Sequence, residues 1–205
     1  MNSKEQKRIQ EHFEKMWQDN QKPWVDIGME SDLDEFFQLL SQKYAKAKIL
    51  DIGCGNGWIS IRAVQDGHEV WGVDSSETAI KEAIAAAKKE RVDEMTHFHV
   101  GDALDLPYES DFFDALIDRG LFHHIVPRNR PLYLQNILRV LKQKSLMYLH
   151  VFSAKNPSSN GELFTPELVQ ELFGSHFAIL SSSADPYPPK SYPVHLLHFI
   201  MERIS

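Results

Sequence analysis

The stretch DIGCGNGWIS, residues 51–60, follows the apolar run AKIL and packs three glycines, an acid and the chain's one cysteine into a short turn. A glycine-rich turn that leaves a buried strand and opens a helix forms the floor of the ligand site in an open α/β sheet. The spacing of the glycines decides which ligand. Gly53, Gly55 and Gly57 are spaced GxGxG, whereas the dinucleotide fingerprint GxGxxG needs its third glycine at position 58, where Trp58 stands. That third glycine permits close helix–strand packing, and an indole cannot replace it. No Gly-Lys-Ser/Thr follows, so a P-loop is excluded too. The turn is not read as a pyrophosphate cradle.

From residue 47 the chain alternates short apolar runs with helical ones. AKILDI, HEVWGVD, THFHVGD, FFDALID and SLMYLHVFS read as strands. GNGWISIRAVQDG, SSETAIKEAIAAAKKERV and residues 130–142 read as helices, with apolar residues recurring every three or four positions. HFAILSSS and PVHLLHFIMERI follow a short helix entered at Thr165-Pro166, and no helix separates them. The pattern predicts a doubly wound, Rossmann-like α/β sheet of seven strands, mostly parallel, with a C-terminal antiparallel hairpin at one edge and helices on both faces. Residues 1–205 read as one domain, with two N-terminal helices (1–45) as a lid on a Rossmann-like core (46–205). The first helix puts Ile9, Phe13, Met16 and Trp17 on one face; the second does so with Leu33, Phe36, Phe37 and Leu40.

The 205 residues are 42% hydrophobic, enough for a sizeable core, and carry a net charge of −7 without a Lys/Arg block. That balance argues against nucleic acid as a partner. No secretory h-region opens the sequence, no apolar run is long enough to span a membrane, and one cysteine cannot form an internal disulfide. A cytoplasmic location is expected.

Acids ring the glycine turn. Asp51 closes the first strand, Asp74 the second, and Asp102 stands just past the third. Three carboxylates repel a phosphate but suit a ligand with an ammonium group, a cis-diol and an exocyclic amine. S-adenosylmethionine has all three and carries a sulfonium cation besides. In this reading Asp51 attracts the ammonium, Asp74 accepts from the ribose hydroxyls and Asp102 from the adenine amine, while the glycines let the backbone come close.

Four stretches, ILDIGCGNG, VWGVDSS, VGDALDLP and FDALIDRGLFHHI, occur in an order and spacing that resembles the class I S-adenosylmethionine-dependent methyltransferases. The resemblance covers about half of the chain, residues 47–152. It implies cofactor contacts from Trp17, Asp51, Gly53, Cys54, Gly55, Asn56, Gly57, Trp58, Asp74, Ser75, Ser76, Gly101, Asp102, Ala103 and Asp118. Cys54 is read as a small residue in a tight loop rather than a nucleophile. More narrowly, the sequence is similar to the thiopurine and tellurite-resistance branch. The carriers are Trp17 and Trp24, Asp118-Arg119-Gly120, Arg130 with Tyr133, and Leu163 to Pro166; LFHHI departs from the less polar run of the thiopurine enzymes.

Methyl transfer from a sulfonium is an in-line displacement in which alignment supplies much of the rate. Asp118, Arg119 and His123 are the catalytic candidates, with His124 beside them. The resemblance places Arg119 at the acceptor, and salt bridging to a neighbouring acid is the alternative. His123 is a candidate base, which a phenol or amine acceptor needs more than a thiol does. The expected function is methylation of a small molecule, with a thiol, selenium or tellurium acceptor favoured. An oxygen or nitrogen acceptor and a non-catalytic S-adenosylmethionine or S-adenosylhomocysteine binder are the alternatives. No metal is expected: His97 and His99 share a strand face without a third ligand nearby in sequence. DPYPPK (185–190) resembles an amine-gripping motif but stands far from the fourth strand, so it reads as a turn or substrate rim. KKER (88–91) reads as the solvated end of a helix.

Overall fold

The computed structural model describes residues 4–23, 31–156, 161–184, 186–187 and 194–205. Trp24 and most of DPYPPK lie outside these residues. Helices α1 (Lys4–Gln18) and α2 (Ser31–Lys43) precede strand β1 (Lys48–Ile52). Then follow α3 (Trp58–Gln65), β2 (Glu69–Asp74), α4 (Glu77–Glu90), β3 (Thr96–Val100) and β4 (Phe113–Arg119). Two single 3-10 turns, Phe122–His124 and Pro127–Asn129, lead to α5 (Arg130–Val140) and β5 (Leu141–Phe152). The chain closes with α6 (Pro166–Phe173), β6 (Phe177–Ser183), β7 (Pro186–Tyr187) and β8 (Val194–Arg203).

The strands lie in the order β3-β2-β1-β4-β5-β8-β6, with the two-residue β7 paired on β8. β1 to β5 are mutually parallel, and β8 runs antiparallel to both β5 and β6. This is the expected seven-stranded mixed sheet, with β6 and β8 as the antiparallel pair at one edge. The last long strand lies inside that pair, between β5 and β6. The composition explains why. Leu196 to Met201 is buried without a break, as a strand covered on both faces must be. β6 alternates towards the Ser-rich FAILSSS, half exposed, and takes the edge.

Side chains alternate between two core layers. Leu50, Ile52, Leu116, Leu149 and Phe199 face Ile137 and Phe173 of α5 and α6. Ile49, Ala115, Ile117, Tyr148 and Ile200 face Phe36 and Leu40 of α2 and Ile59 of α3. The helix expected over residues 130–142 ends at Val140, because Leu141 already pairs with Phe113 in the sheet. α1 is more exposed than its apolar stripe suggested: Trp17 is buried, while Ile9, Phe13 and Met16 are only partly covered. Among the described residues no helix is long and apolar enough to cross a membrane.

The close fit of β2 and β3 beside the glycine turn depends on Gly72. A Cβ there would come within 2.5 Å of the Phe98 ring and 3.0 Å of the Cys54 sulfur. Gly72→Ala is expected to lower stability by about 1–3 kcal/mol, the cost of overpacking a filled core. Urea denaturation measures this, and an unchanged midpoint at unchanged slope would contradict the packing.

Candidate active site

The five parallel strands all end at one rim of the sheet, and the turn after β1 is its floor. Gly53, Gly55 and Gly57 have φ values of 72°, 54° and 74°, a left-handed conformation that side chains disfavour. The turn folds back on β2: the amides of Gly53 and Cys54 both donate to the Val73 carbonyl, at 2.7 and 3.1 Å. Gly57 caps α3. A Cβ on Gly55 would lie 3.1 Å from the Trp17 indole, so α1 lays that ring over the loop. Cys54 is buried, and burial pushes its thiol pKa well up. Such a thiol stays protonated, which fits a packing role.

The three acids stand at or just past the carboxyl ends of β1, β2 and β3. Asp51 is buried and accepts, at 2.5 Å, from the hydroxyl of Ser60 in the first turn of α3. Burial pushes its pKa up to about 7 against the pull of Ser60, with Asp74 and Asp118 adding repulsion and Arg119 relieving it. Asp74 accepts from the amides of Gly55 (2.9 Å) and Ser76 (2.8 Å). Burial raises its pKa and Glu14 adds to the rise, while the amides of Ser76, Gly55 and Ser75 oppose it. Asp102 accepts from the Leu104 amide at 2.9 Å, and the neighbouring Gly101 amide donates to the Asp74 carbonyl at 2.9 Å. Ala103 is buried behind Asp102, whereas Asn56, Trp58 and Ser75 are partly exposed at the rim.

Ser76 is held below that rim. Its hydroxyl accepts from the Ala79 amide (3.0 Å), capping α4, and donates to Glu14 of α1 (2.5 Å). Glu14 also accepts from the Thr78 hydroxyl at 2.8 Å. Gln6, at the other end of α1, donates to the His124 carbonyl (3.1 Å) and accepts from the Val126 amide (3.0 Å). One helix therefore straps the turn after β4 to the start of α4, with Trp17 over the glycines. Neither Gln6 nor Glu14 stood out in the sequence, because polar residues on an amphipathic helix read as its solvated face.

On the other side of the rim the candidates separate. Asp118 and Arg119 are neighbours in β4 and so point to opposite faces of the sheet. Asp118 is fully buried and accepts from the Tyr133 hydroxyl (2.6 Å) and from the amides of Leu121 (2.9 Å) and Phe122 (3.1 Å). Burial pushes its pKa up to about 6 against those donors. It shapes the turn rather than facing the rim. The Arg119 guanidinium lies 5.4 Å over the Trp58 ring, next to the glycine turn. His123 is buried, stacked on Phe152 at 3.9 Å, with Nδ1 unpartnered among the described residues. Burial, and His124 beside it, hold its pKa well below the ordinary imidazole range. His124 packs edge-on against Phe13 of α1, at 4.7 Å.

Two further histidines reach this rim. His150 in β5 is in register with Arg119 on one side and His198 of β8 on the other. In the sequence each was one polar residue inside an apolar strand, and only the pairing of β5 with β8 brings them together.

Known proteins resemble this chain in sequence and in fold. Residues 49–144 match the model of a methyltransferase domain family. The chain is 29% identical over 120 residues to norajmaline N-methyltransferase of Rauvolfia serpentina, covering 58% of this chain and 40% of that protein. It is 33% identical over 135 residues to 27-O-demethylrifamycin SV methyltransferase of Amycolatopsis mediterranei, covering 65% and 48%. The chain thus spans about half the length of the curated relatives it matches. In fold it is similar to the 1,6-didemethyltoxoflavin-N1-methyltransferase of Burkholderia thailandensis, a structure with bound 1,6-didemethyltoxoflavin and S-adenosylhomocysteine. The TM-score is 0.80 at 24% identity, over 96% of this chain and 88% of that one. The match to the methyltransferase-domain model spans residues 49–144, just under half of the chain, and the likeness in fold extends over nearly all of it.

Proposed function

We propose that this protein binds S-adenosylmethionine at the turn after β1 and methylates a small molecule, the whole chain working as one domain with α1 as its strap. The observation that carries this reading is the remaining acceptor capacity of Asp74. A carboxylate offers about four lone-pair sites; the Gly55 and Ser76 amides use two, and the Ser75 amide draws on it as well. The capacity that remains serves the ribose hydroxyls. Asp51 supplies negative charge under the turn for the ammonium group, Asp102 an acceptor beside β3, and Trp17 an apolar cover. The bound cofactor would supply an electrophilic methyl group on a sulfonium. The protein's own part is to hold the donor by its ends, keep water out beneath Trp17, and present the acceptor along the line of displacement.

As to the acceptor, the names of two relatives specify nitrogen and oxygen positions, which supports those atoms. The sulfur, selenium or tellurium acceptor rests only on the residues that resemble the thiopurine and tellurite-resistance branch. The position of Arg119 over Trp58, beside the glycine turn, supports an acceptor-side role for it.

Calorimetry with S-adenosylhomocysteine tests the cofactor site. Asp74→Ala is expected to weaken binding by about tenfold or more, since buried hydroxyls would lose their acceptor; unchanged affinity would remove the ribose assignment. The pH dependence is a second, independent check. Asp51 titrates at about 7, and only its ionised form attracts an ammonium. Affinity should therefore rise about tenfold from about pH 6 to about pH 8, and Asp51→Asn should flatten that slope. A slope surviving in the variant assigns the titration elsewhere. Homocysteine release over a panel of phenols, heteroaromatic amines and thiols then identifies the acceptor atom. Binding without turnover on any of them would favour the non-catalytic reading.

A further inference from the structure

The row Arg119–His150–His198 crosses β4, β5 and β8 at one level of the sheet. The row beneath it, Ile117–Tyr148–Ile200, belongs to the apolar layer under α2 and α3. At one end, Arg119 stacks on Trp58, the residue that follows the glycine turn. The polar row thus starts at the cofactor loop and runs across the carboxyl ends of β4 and β5, where ligands of such sheets sit.

His150 is 3% exposed, yet neither of its ring nitrogens has a hydrogen-bond partner among the described residues. Buried polar groups are nearly always satisfied, and an exception calls for an explanation. The ring lies flat against His198, with centroids 4.6 Å apart and planes at 23°. His198 in turn shares a 3.0 Å hydrogen bond with the Tyr148 hydroxyl. Around His150 stand Arg119 from β4, His198 from β8 and His123 from the turn after β4, with Asp51 beyond Arg119. Burial first, then Arg119 and the two histidines, hold its pKa well below the ordinary range. A neutral imidazole offers one N–H and one lone pair. Beside a guanidinium it resists a second proton, so it suits hydrogen bonding better than general-base work.

On the methyltransferase reading above, we infer that Arg119, His150 and His198 form the binding wall for the acceptor, and that the acceptor is a small planar acid (a phenol, enol or heteroaromatic N–H) methylated at oxygen or nitrogen as its anion. The guanidinium and the His150 N–H are donors for a negative oxygen or nitrogen. Sulfur is a weak hydrogen-bond acceptor and gains less from them. The flat His150–His198 and His123–Phe152 stacks suit a planar molecule. The acceptor gives its proton to water before binding. In the transfer, the bond from its oxygen or nitrogen to the methyl carbon forms and the carbon–sulfur bond breaks. The acceptor's negative charge cancels the sulfonium's positive one, and no proton moves in that step.

The probe is 4-nitrophenol, titrated by its absorbance against full-length protein saturated with S-adenosylhomocysteine, with 4-nitrothiophenol and 4-nitrobenzyl alcohol as soft and non-acidic comparisons. The phenolate should be the bound form, with the probe's apparent pKa lowered by about one unit, an anion preference of about tenfold. His150→Phe and Arg119→Met should each lose most of that preference. His150→Gln, which keeps a donor and an acceptor, should retain it. Equal binding of neutral and anionic probe, a preference for the thiolate, no binding of the phenol, or an unchanged shift in His150→Phe would each overturn the inference. Calorimetry with S-adenosylhomocysteine alone separates the two levels. Failure of the wild-type protein to bind it would overturn the cofactor reading itself. Retained binding without an anion preference would overturn only the acceptor wall.

Discussion

The turn between β1 and α3 closes because two consecutive amides, those of Gly53 and Cys54, share the Val73 carbonyl, while the Gly55 amide reaches the Asp74 carboxylate. These bonds need a backbone that swings left-handed at every second residue from 53 to 57, which glycine does without steric cost. Much of the site follows. α3 starts at Trp58 and presents Ser60 to Asp51. Asp74 is fixed at the rim by backbone amides of the turn and of the segment that follows β2. Trp17 can lie on Gly55 because no side chain stands there.

Burial and position set the charge at this rim. Asp51 is buried and opposed by Asp74 and Asp118, so its carboxyl is half protonated near neutrality. A cation placed above the turn would restore the ionised form, which couples ligand charge to proton release. Across the rim the sign reverses. Arg119 stands beside histidines that burial keeps neutral, and the wall they make donates hydrogen bonds. The sheet thus separates an acidic half, suited to a cationic nucleoside, from a half suited to an acid. The Asp118–Arg119 pair draws the boundary, because adjacent residues in a strand face opposite ways.

The sequence carried the fold well where local chemistry dictates it. Strand–helix alternation, the GxGxG turn and the acids at 51, 74 and 102 are periodic or positional signals, and each element stands within a few residues of its expected place. The helix that ends at Val140, two residues short of its expected end, does so because sheet pairing of Leu141 with Phe113 overrode the local pattern. The same limit hid half of the site. His150 and His198 are 48 positions apart along the numbering and become neighbours only through the antiparallel register of β5 and β8. Gln6 and Glu14 were equally illegible, since only the docking of α1 turns two surface polar residues into clasps. Asp118 and Arg119 read as one motif, yet the first serves the turn and the second the rim.

The central claim is that a glycine turn ringed by carboxylates holds a cationic amino-acid nucleoside rather than a phosphate. Equilibrium dialysis with labelled S-adenosylmethionine, competed by S-adenosylhomocysteine, NAD and ATP, tests it most directly. The account predicts that S-adenosylhomocysteine displaces the label and that a large excess of either phosphorylated nucleotide leaves it bound. Displacement by NAD or ATP as effective as that by S-adenosylhomocysteine, or no retained label at all, would contradict it.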